Sequence, residues 1–256
     1  MDSGYAGRVA DARQPLKYNP GMKRCILFLF LTGLLTAQAT QEVEITNESH
    51  HHLVLANDQV RVFSVEILPH AETLMHWHHH DYIYVMLGHT SVVNAVKGKQ
   101  PVQLEMQDGQ TGFLRGGFAH IARNTSSQPF RNVTIELLQD DKLHHAPEHW
   151  DAAHPEEDRG LSVLNGGTKE ILFVKDGVRV SEVELQPGGV IPRHHHAGPH
   201  LVVALSDYTL RGDVKGKAPE TIIMKRGESR WATGGYTHVV TNSGQQPAKF
   251  VTLEFR

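Results

Sequence analysis

Leu74-Met75-His76-Trp77-His78-His79-His80-Asp81-Tyr82 sets histidines two residues apart in a stretch that reads as extended chain. In a strand, residues i and i+2 share a face. The imidazoles of His76 and His78 therefore converge on one side, and Trp77 points away. A second stretch, Arg193-His194-His195-His196-Ala197-Gly198-Pro199-His200, repeats the arrangement with His194 and His196. Far along from each pair stands another histidine, His120 or His238, placed after a Gly-Gly turn and before an apolar run. Three convergent imidazoles suit a borderline divalent ion: Fe, Mn, Cu, Ni or Zn. Three protein ligands also leave positions for water or substrate, the arrangement that metal catalysis uses.

The two stretches belong to a duplication. A shift of 118 residues, which carries His76 onto His194, aligns the halves without a gap. Val60, Arg61, Val62, Val65, Glu66 and Pro69 then meet Val178, Arg179, Val180, Val183, Glu184 and Pro187. Val96-Lys97-Gly98-Lys99 meets Val214-Lys215-Gly216-Lys217, and Gly109, Gly117, His120 and Asn124 meet Gly227, Gly235, His238 and Asn242. Near the ends, Val133, Thr134 and Glu136 meet Val251, Thr252 and Glu254. Chance does not hold such a register over a whole domain length, so the chain reads as two copies of one fold, 50–138 and 168–256. The polar stretch 139–167, rich in acids and histidines, reads as a linker with one short helix.

Each copy reads as all-β. Val60 to Ile67 alternates with period two, as a half-buried strand does. Ile83 to Leu87 and Leu201 to Leu205 are short apolar runs, suited to strands buried on both faces. Val102–Met106, Asn132–Leu137 and Phe250–Phe255 continue the pattern between Gly, Asn, Asp and Pro turns. Many short strands with Gly-rich turns give a sandwich or barrel of the jelly-roll class.

The same residues resemble the cupin superfamily, whose first motif is G-x5-H-x-H followed by a Glu and a Gly, and whose second is G-x5-P-x-G-x2-H-x3-N. Gly188, His194, His196, Gly227, Gly235, His238 and Asn242 match in the second copy, and His76, His78, Gly109, Gly117, His120 and Asn124 in the first. The resemblance covers both repeats and implies two tandem cupin-type jelly-roll β-barrels. It also implies metal sites of His76, His78 and His120 in the first copy, and of His194, His196, His200 and His238 in the second. The departures are specific. The motif Glu is Tyr82 in the first copy and His200 in the second, and the motif Pro is Arg115 and Thr233. Gly88 stands one residue early for the closing glycine, and Asp207 takes its place in the second copy. A neutral phenol, with a pKa of about 10, is a poor ligand. Tyr82 is therefore read as the candidate catalytic side chain, hydrogen-bonding to bound water or substrate. His80 shares the parity of His76 and His78 and is an alternative ligand.

Other groups carry blander expectations. His79 and His195 point away from the site. His50, His51, His52 and the linker histidines His144, His145, His149 and His154 read as solvated. Phe113, Phe118, Trp231 and Tyr236 are expected to pack, with the barrel mouth as the alternative. Glu136 and Glu254 are expected to face outward or to be paired structural carboxylates.

Composition bounds the remainder. With 256 residues, 39% hydrophobic, 21% charged and a net charge of −3, the chain suits a soluble globular protein. It has no basic block of the kind that grips nucleic acid or an anionic membrane. Its 19 histidines are the unusual count. Lys23 and Arg24, the apolar run from Cys25 to Leu35 and the small-residue pattern Ala37-Gln38-Ala39 read as a secretory signal peptide over 22–39. Met22 is then the natural start, with 1–21 an upstream extension, and the address is periplasmic or extracellular. Cys25, the one cysteine, falls inside the leader, so the mature chain has neither disulfide nor thiolate ligand. Metal loaded outside the cytoplasm favours Cu or Zn by intrinsic affinity. Two units packed on each other as an internal pseudo-dimer suit a monomer.

Three functions fit: a metal-dependent, dioxygenase-like oxidoreductase acting on a small organic substrate; a non-enzymatic module binding a small molecule or metal; and a metal-assisted isomerase or hydrolase. Fold alone does not choose among them. The leader makes one direct prediction. Amino-terminal sequencing of the exported product should find Thr40 as its first residue, and a start well before it would contradict cleavage after Ala39.

Overall fold

A computed structural model describes residues 41–139, 159–175 and 177–256. The expected signal peptide, the upstream extension and linker residues 140–158 lie outside these, as do His144, His145, His149 and His154. The strand Gly160–Lys175 begins within the stretch read as linker.

Almost every element is a strand. Among the described residues the one helical element is the 3-10 turn Ile45–Asn47. The first half builds two five-stranded sheets. One runs His51–Ala56, Val60–Ile67, Phe130–Leu137, Tyr82–Met86, Thr111–Leu114. The other runs Glu42–Glu44, Met75–His78, Phe118–Asn124, Thr90–Val96, Val102–Met106. The second half joins its layers into one eight-stranded sheet, because Val178–His196 passes through both. Its first-half counterpart is split between Ile67 and Met75. The bend still has the same backbone in both copies. Gly188 sits at φ +78°, and its counterpart His70 takes φ +62° without being glycine. That conformation costs a side-chain-bearing residue about 1–2 kcal/mol.

The strands alternate as the sequence pattern requires, and both faces are used. Val60, Val62, Ile83, Val85, Val133, Ile135 and Leu137 form one cluster with Val178, Val180, Leu201, Val203, Val251, Leu253 and Phe255. The halves thus share a core. The opposite parity lines each barrel: Phe63, Val65, Ile67 and Met86 in the first, Val183, Leu185, Ala204 and Phe250 in the second. Runs such as Ile83 to Leu87 are apolar throughout because one face meets the other half and the other face meets the barrel interior. The junction is reciprocal: Gly109 lies against Leu205 and its counterpart Gly227 against Leu87, while the equivalent residues Asp108 and Arg226 pair with each other. Such contacts mark a pseudo-two-fold axis.

Leu253 is fully buried in the shared cluster. Leu253→Ala should cost about 2–5 kcal/mol in urea unfolding. The whole chain should shift as one transition, and an unaffected first-half transition would contradict a shared core.

Candidate metal centres

Pairing places the histidines. Met75–His78 runs antiparallel to Phe118–Asn124 with His76 opposite His120 and His78 opposite Phe118. In the second half His194 is opposite His238 and His196 opposite Tyr236. The Gly-Gly turn sets the approach of the returning strand. Gly117 and Gly235 take φ +81° and +77°, and each donates its N–H to the carbonyl of the second histidine, His78 or His196, at 2.7 Å. The motif asparagines brace the far end. Asn124 donates to the carbonyls of Ile67 and Gln128, and Asn242 to the equivalent carbonyls of Leu185 and Gln246.

In the second half three Nε2 atoms form a triangle: His194 to His196 3.0 Å, His196 to His238 3.1 Å, His238 to His194 2.9 Å. Two nitrogens bound about 2.1 Å from one ion at a right angle would stand about 3.0 Å apart. A proton on His238 Nε2 accounts for that atom's two contacts but not for the 3.0 Å between His194 and His196. His194 donates Nδ1–H to the carbonyl of Pro192 at 2.8 Å, and His196 Nδ1 faces Glu254 Oε1 at 3.4 Å. A neutral imidazole has one N–H, so these two rings turn bare lone pairs toward each other. A cation between them resolves the repulsion.

The first half brings together four imidazoles. His78 and His120 approach Nε2 to Nε2 at 3.2 Å. His76 Nε2 is buried without a partner, and its Nδ1–H goes to the Leu74 carbonyl at 2.8 Å. His120 Nδ1 donates to Asn94 Oδ1 at 2.7 Å. The fourth ring is His51, whose ring centroid lies 4.7 Å from that of His76. Ring nitrogens of His51, His76 and His78 lie within 4.8 Å of one another. His51 donates Nδ1–H to Glu48 Oε2 at 2.7 Å, which leaves its Nε2 bare. An outer carboxylate that fixes tautomer and ring angle is the usual support of a metal-bound histidine.

His51 was expected to be solvated, and the structure buries it. The reason is a bulge. Ala56 and Leu55 pair with Arg61 and Val62, but Leu53 pairs with Phe63, so Val54 is extra. One extra residue reverses the facing of everything before it. His51 lands opposite Val65 and faces inward. The 118-residue shift carries His51 onto Lys169, which is opposite Val183 in the same way.

The other candidates stand around these clusters. Tyr82 stacks on His78 with ring centroids 4.3 Å apart, and His200 stacks on His196 at 3.9 Å, in the same place of the repeat. His200 therefore lies beside the Nε2 triangle, and its own Nε2 faces Tyr236 Oη at 3.3 Å. The strand ends at His78, so strand parity does not extend to His80. His79 stacks on Trp77 and pairs with Glu44, and His195 is exposed. Glu136 and Glu254 face inward, each ion-paired to the equivalent arginine: Arg61 at 2.8 Å and Arg179 at 2.7 Å. Phe118 and Tyr236 lie against the histidines. Trp231 packs on Phe255, and Phe113 against the shared core. The cavity at the second cluster is about 630 Å³, and that at the first about 260 Å³.

Burial and neighbouring imidazoles favour the neutral form of His76, His78, His120 and His238. They bring His76 to about 4 and His120 and His238 to about 3, and push His78 lower still. Burial, reinforced by His196, takes His200 to about 4. Burial raises the Tyr82 phenol, which stays protonated. Burial alone would raise Glu48 and Glu254. Hydrogen bonds from His51 and His50 overcome it at Glu48; His196, Lys169 and Arg179 do so at Glu254, and both carboxyls end well below the ordinary range.

No family model matches the chain, and no curated protein matches it. Solved structures do. A single-site variant of Bacillus subtilis oxalate decarboxylase OxdC superposes with a TM-score of 0.56 at 15% identity, over 78% of this chain and 69% of that one. Lactobacillus farciminis oxalate decarboxylase in its formate complex gives 0.56 at 16% identity over 77% of each. Bacillus subtilis oxalate decarboxylase characterised for its Mn(II) centres gives 0.55 at 14% identity, over 78% of this chain and 69% of that one. The fold is a tandem pair of cupin-type barrels. At such identities the likeness speaks for the cupin fold, and the chemistry of these two barrels rests on their own residues.

The depressed imidazoles set a pH dependence. Unfolded histidines take protons near pH 6.5, whereas the folded ones resist until about 3–4. Between those values the unfolded state binds more protons, so stability rises with pH. The melting temperature of metal-free protein should fall as pH drops from about 6.5 towards 4, and an unchanged or higher value at pH 4.5 would contradict the burial of neutral rings.

Proposed function

We propose that the chain is an exported, divalent-metal-binding bicupin that works on a small organic molecule as a metal-dependent oxidoreductase of the dioxygenase-like kind. The observation that carries the metal reading is the Nε2 triangle of His194, His196 and His238, with spacings of 2.9–3.1 Å. His51, His76, His78 and His120 would hold the first ion. A bound divalent ion supplies Lewis acidity or electron transfer to a coordinated substrate. The protein supplies neutral nitrogen donors, a fixed tautomer and walls that limit water. Tyr82, held as a neutral phenol, closes over His78 in the smaller cavity. The Mn(II) centres of the Bacillus oxalate decarboxylase support a redox-capable ion. The leader sequence supports export and loading outside the cytoplasm.

A non-enzymatic ligand-binding role is the second reading. What favours it is the first cluster, where a fourth imidazole and a 260 Å³ cavity leave little room for a substrate. Elemental analysis of untagged protein should find two equivalents of divalent metal per chain. Changing His194→Ala with His196→Ala should remove one equivalent, and changing His76→Ala with His78→Ala the other. Retention of both equivalents after all four changes would overturn the ligand assignment. Oxygen uptake with Fe, Mn or Cu bound supports the oxidoreductase, whereas tight ligand binding without turnover supports the second reading.

A further inference from the structure

The two halves are copies, so the positions at which they differ around a shared framework carry information. Five functional positions are identical: His76, His78, His120, Arg61 and Glu136 match His194, His196, His238, Arg179 and Glu254. At a sixth, the Tyr82 ring is replaced by that of His200. Asn94, behind His120, becomes Gly212, and two further changes alter the donor set and its charge. His51, the fourth imidazole, becomes Lys169, and Glu48, the buried carboxylate behind it, becomes Gly166. Lys169 lines the larger cavity together with the three histidines, and its Nζ lies 3.8 Å from Glu254 Oε2. Glu254 already carries the guanidinium of Arg179 at 2.7 Å. One carboxylate therefore faces two cations. The first cluster has one cation and two carboxylates around it: Arg61 pairs with Glu136, and Glu48 lies behind His51. A divalent ion adds the same charge to each, so the second centre is the more positive by two charges. It has also lost a ligand.

We propose that the second half is the ligand-accepting centre, and that it takes an amphiphilic organic anion whose carboxylate sits between the ion and the Lys169 ammonium. This rests on the metal reading above. The anionic head meets Lys169 and the coordination position that His51 fills in the first half. The apolar body lies among Ile191, Leu210, Ile222, Met224 and Val240, which line the same cavity. Its volume, about 630 Å³, is in the range of small-molecule sites (roughly 300–1,000 Å³), whereas the first cavity falls below it. The first centre, with four imidazoles and a buried carboxylate behind one of them, holds its ion without accepting a ligand.

The test uses the full chain loaded with Co(II), whose visible spectrum reports its coordination, titrated with hexanoate, acetate and neutral hexanamide. Hexanoate should perturb one of the two Co(II) ions and bind at least tenfold more tightly than acetate. Lys169→Met should weaken hexanoate at least tenfold, leave two Co(II) per chain and leave hexanamide unchanged. Lys169→Arg should restore most of the hexanoate affinity. Lys169→His, which copies the first centre, should abolish the response. Equal perturbation of both ions, or unchanged hexanoate affinity in Lys169→Met with Co(II) retained, overturns the proposal alone. Failure of the unaltered chain to bind Co(II) at either centre overturns the metal reading, and this proposal with it.

Discussion

Several imidazoles can turn bare nitrogens to one point only if other groups take their single protons. That constraint shapes most of the rings in both barrels, while the Nδ1 of His78 stays buried without a partner. The acceptors behind the rings are short-range and built into the strands: the carbonyl two residues back for His76 and His194, Asn94 for His120, Glu48 for His51 and Glu254 for His196. Each fixes a tautomer before any ion arrives. The cost is lone-pair repulsion at about 3 Å in the second half and an unsatisfied buried Nε2 at His76. Buried polar atoms without partners destabilise a fold, so the arrangement is one that an ion relieves. Burial then supports binding, because a neutral ring is the form that coordinates.

The framework tolerates this strain because the same strands are packed on both faces. Val133, Ile135 and Leu137 hold the shared core, while Thr134 and Glu136 between them face the barrel. A carboxylate such as Glu136 or Glu254 can sit inside only because an arginine on the neighbouring strand, Arg61 or Arg179, pairs with it in register. The pseudo-two-fold packing gives each half the apolar cover that a single small barrel would have to find in a second chain.

Much of this was legible in the sequence. Alternation from Val60 to Ile67 gave the strand and its two faces, the 118-residue register gave the duplication, and the H-x-H pairs with their distant partners gave the positions that strand pairing brings together. What stayed hidden depends on counting that a sequence does not display. His51 faces inward through a one-residue bulge at Val54, which no composition signal marks. Glu48 is reached only through His51. His200 occupies the place of the glutamate in the motif the sequence resembles, yet its ring lies flat on His196. The left-handed bend that Gly188 announces is made by His70 in the other copy, without the usual glycine signal.

Duplication also frees one copy from the demands on the other. A lone barrel must hold its ion firmly and leave it accessible, and these requirements compete for the same coordination positions. With two copies the requirements separate. His51 with Glu48 adds a donor and a buried negative charge to one centre, and both reduce the pull on an anionic ligand. Lys169 with Gly166 removes the donor and reverses the charge at the other. The neighbouring walls follow the same division: the phenol of Tyr82 closes over His78 in the smaller cavity, while His200, Tyr236 and Lys169 leave the larger one polar near the ion and apolar beyond it. Two substitutions at equivalent positions thus change donor set and charge together, because the carboxylate Glu48 acts through the inward-facing His51.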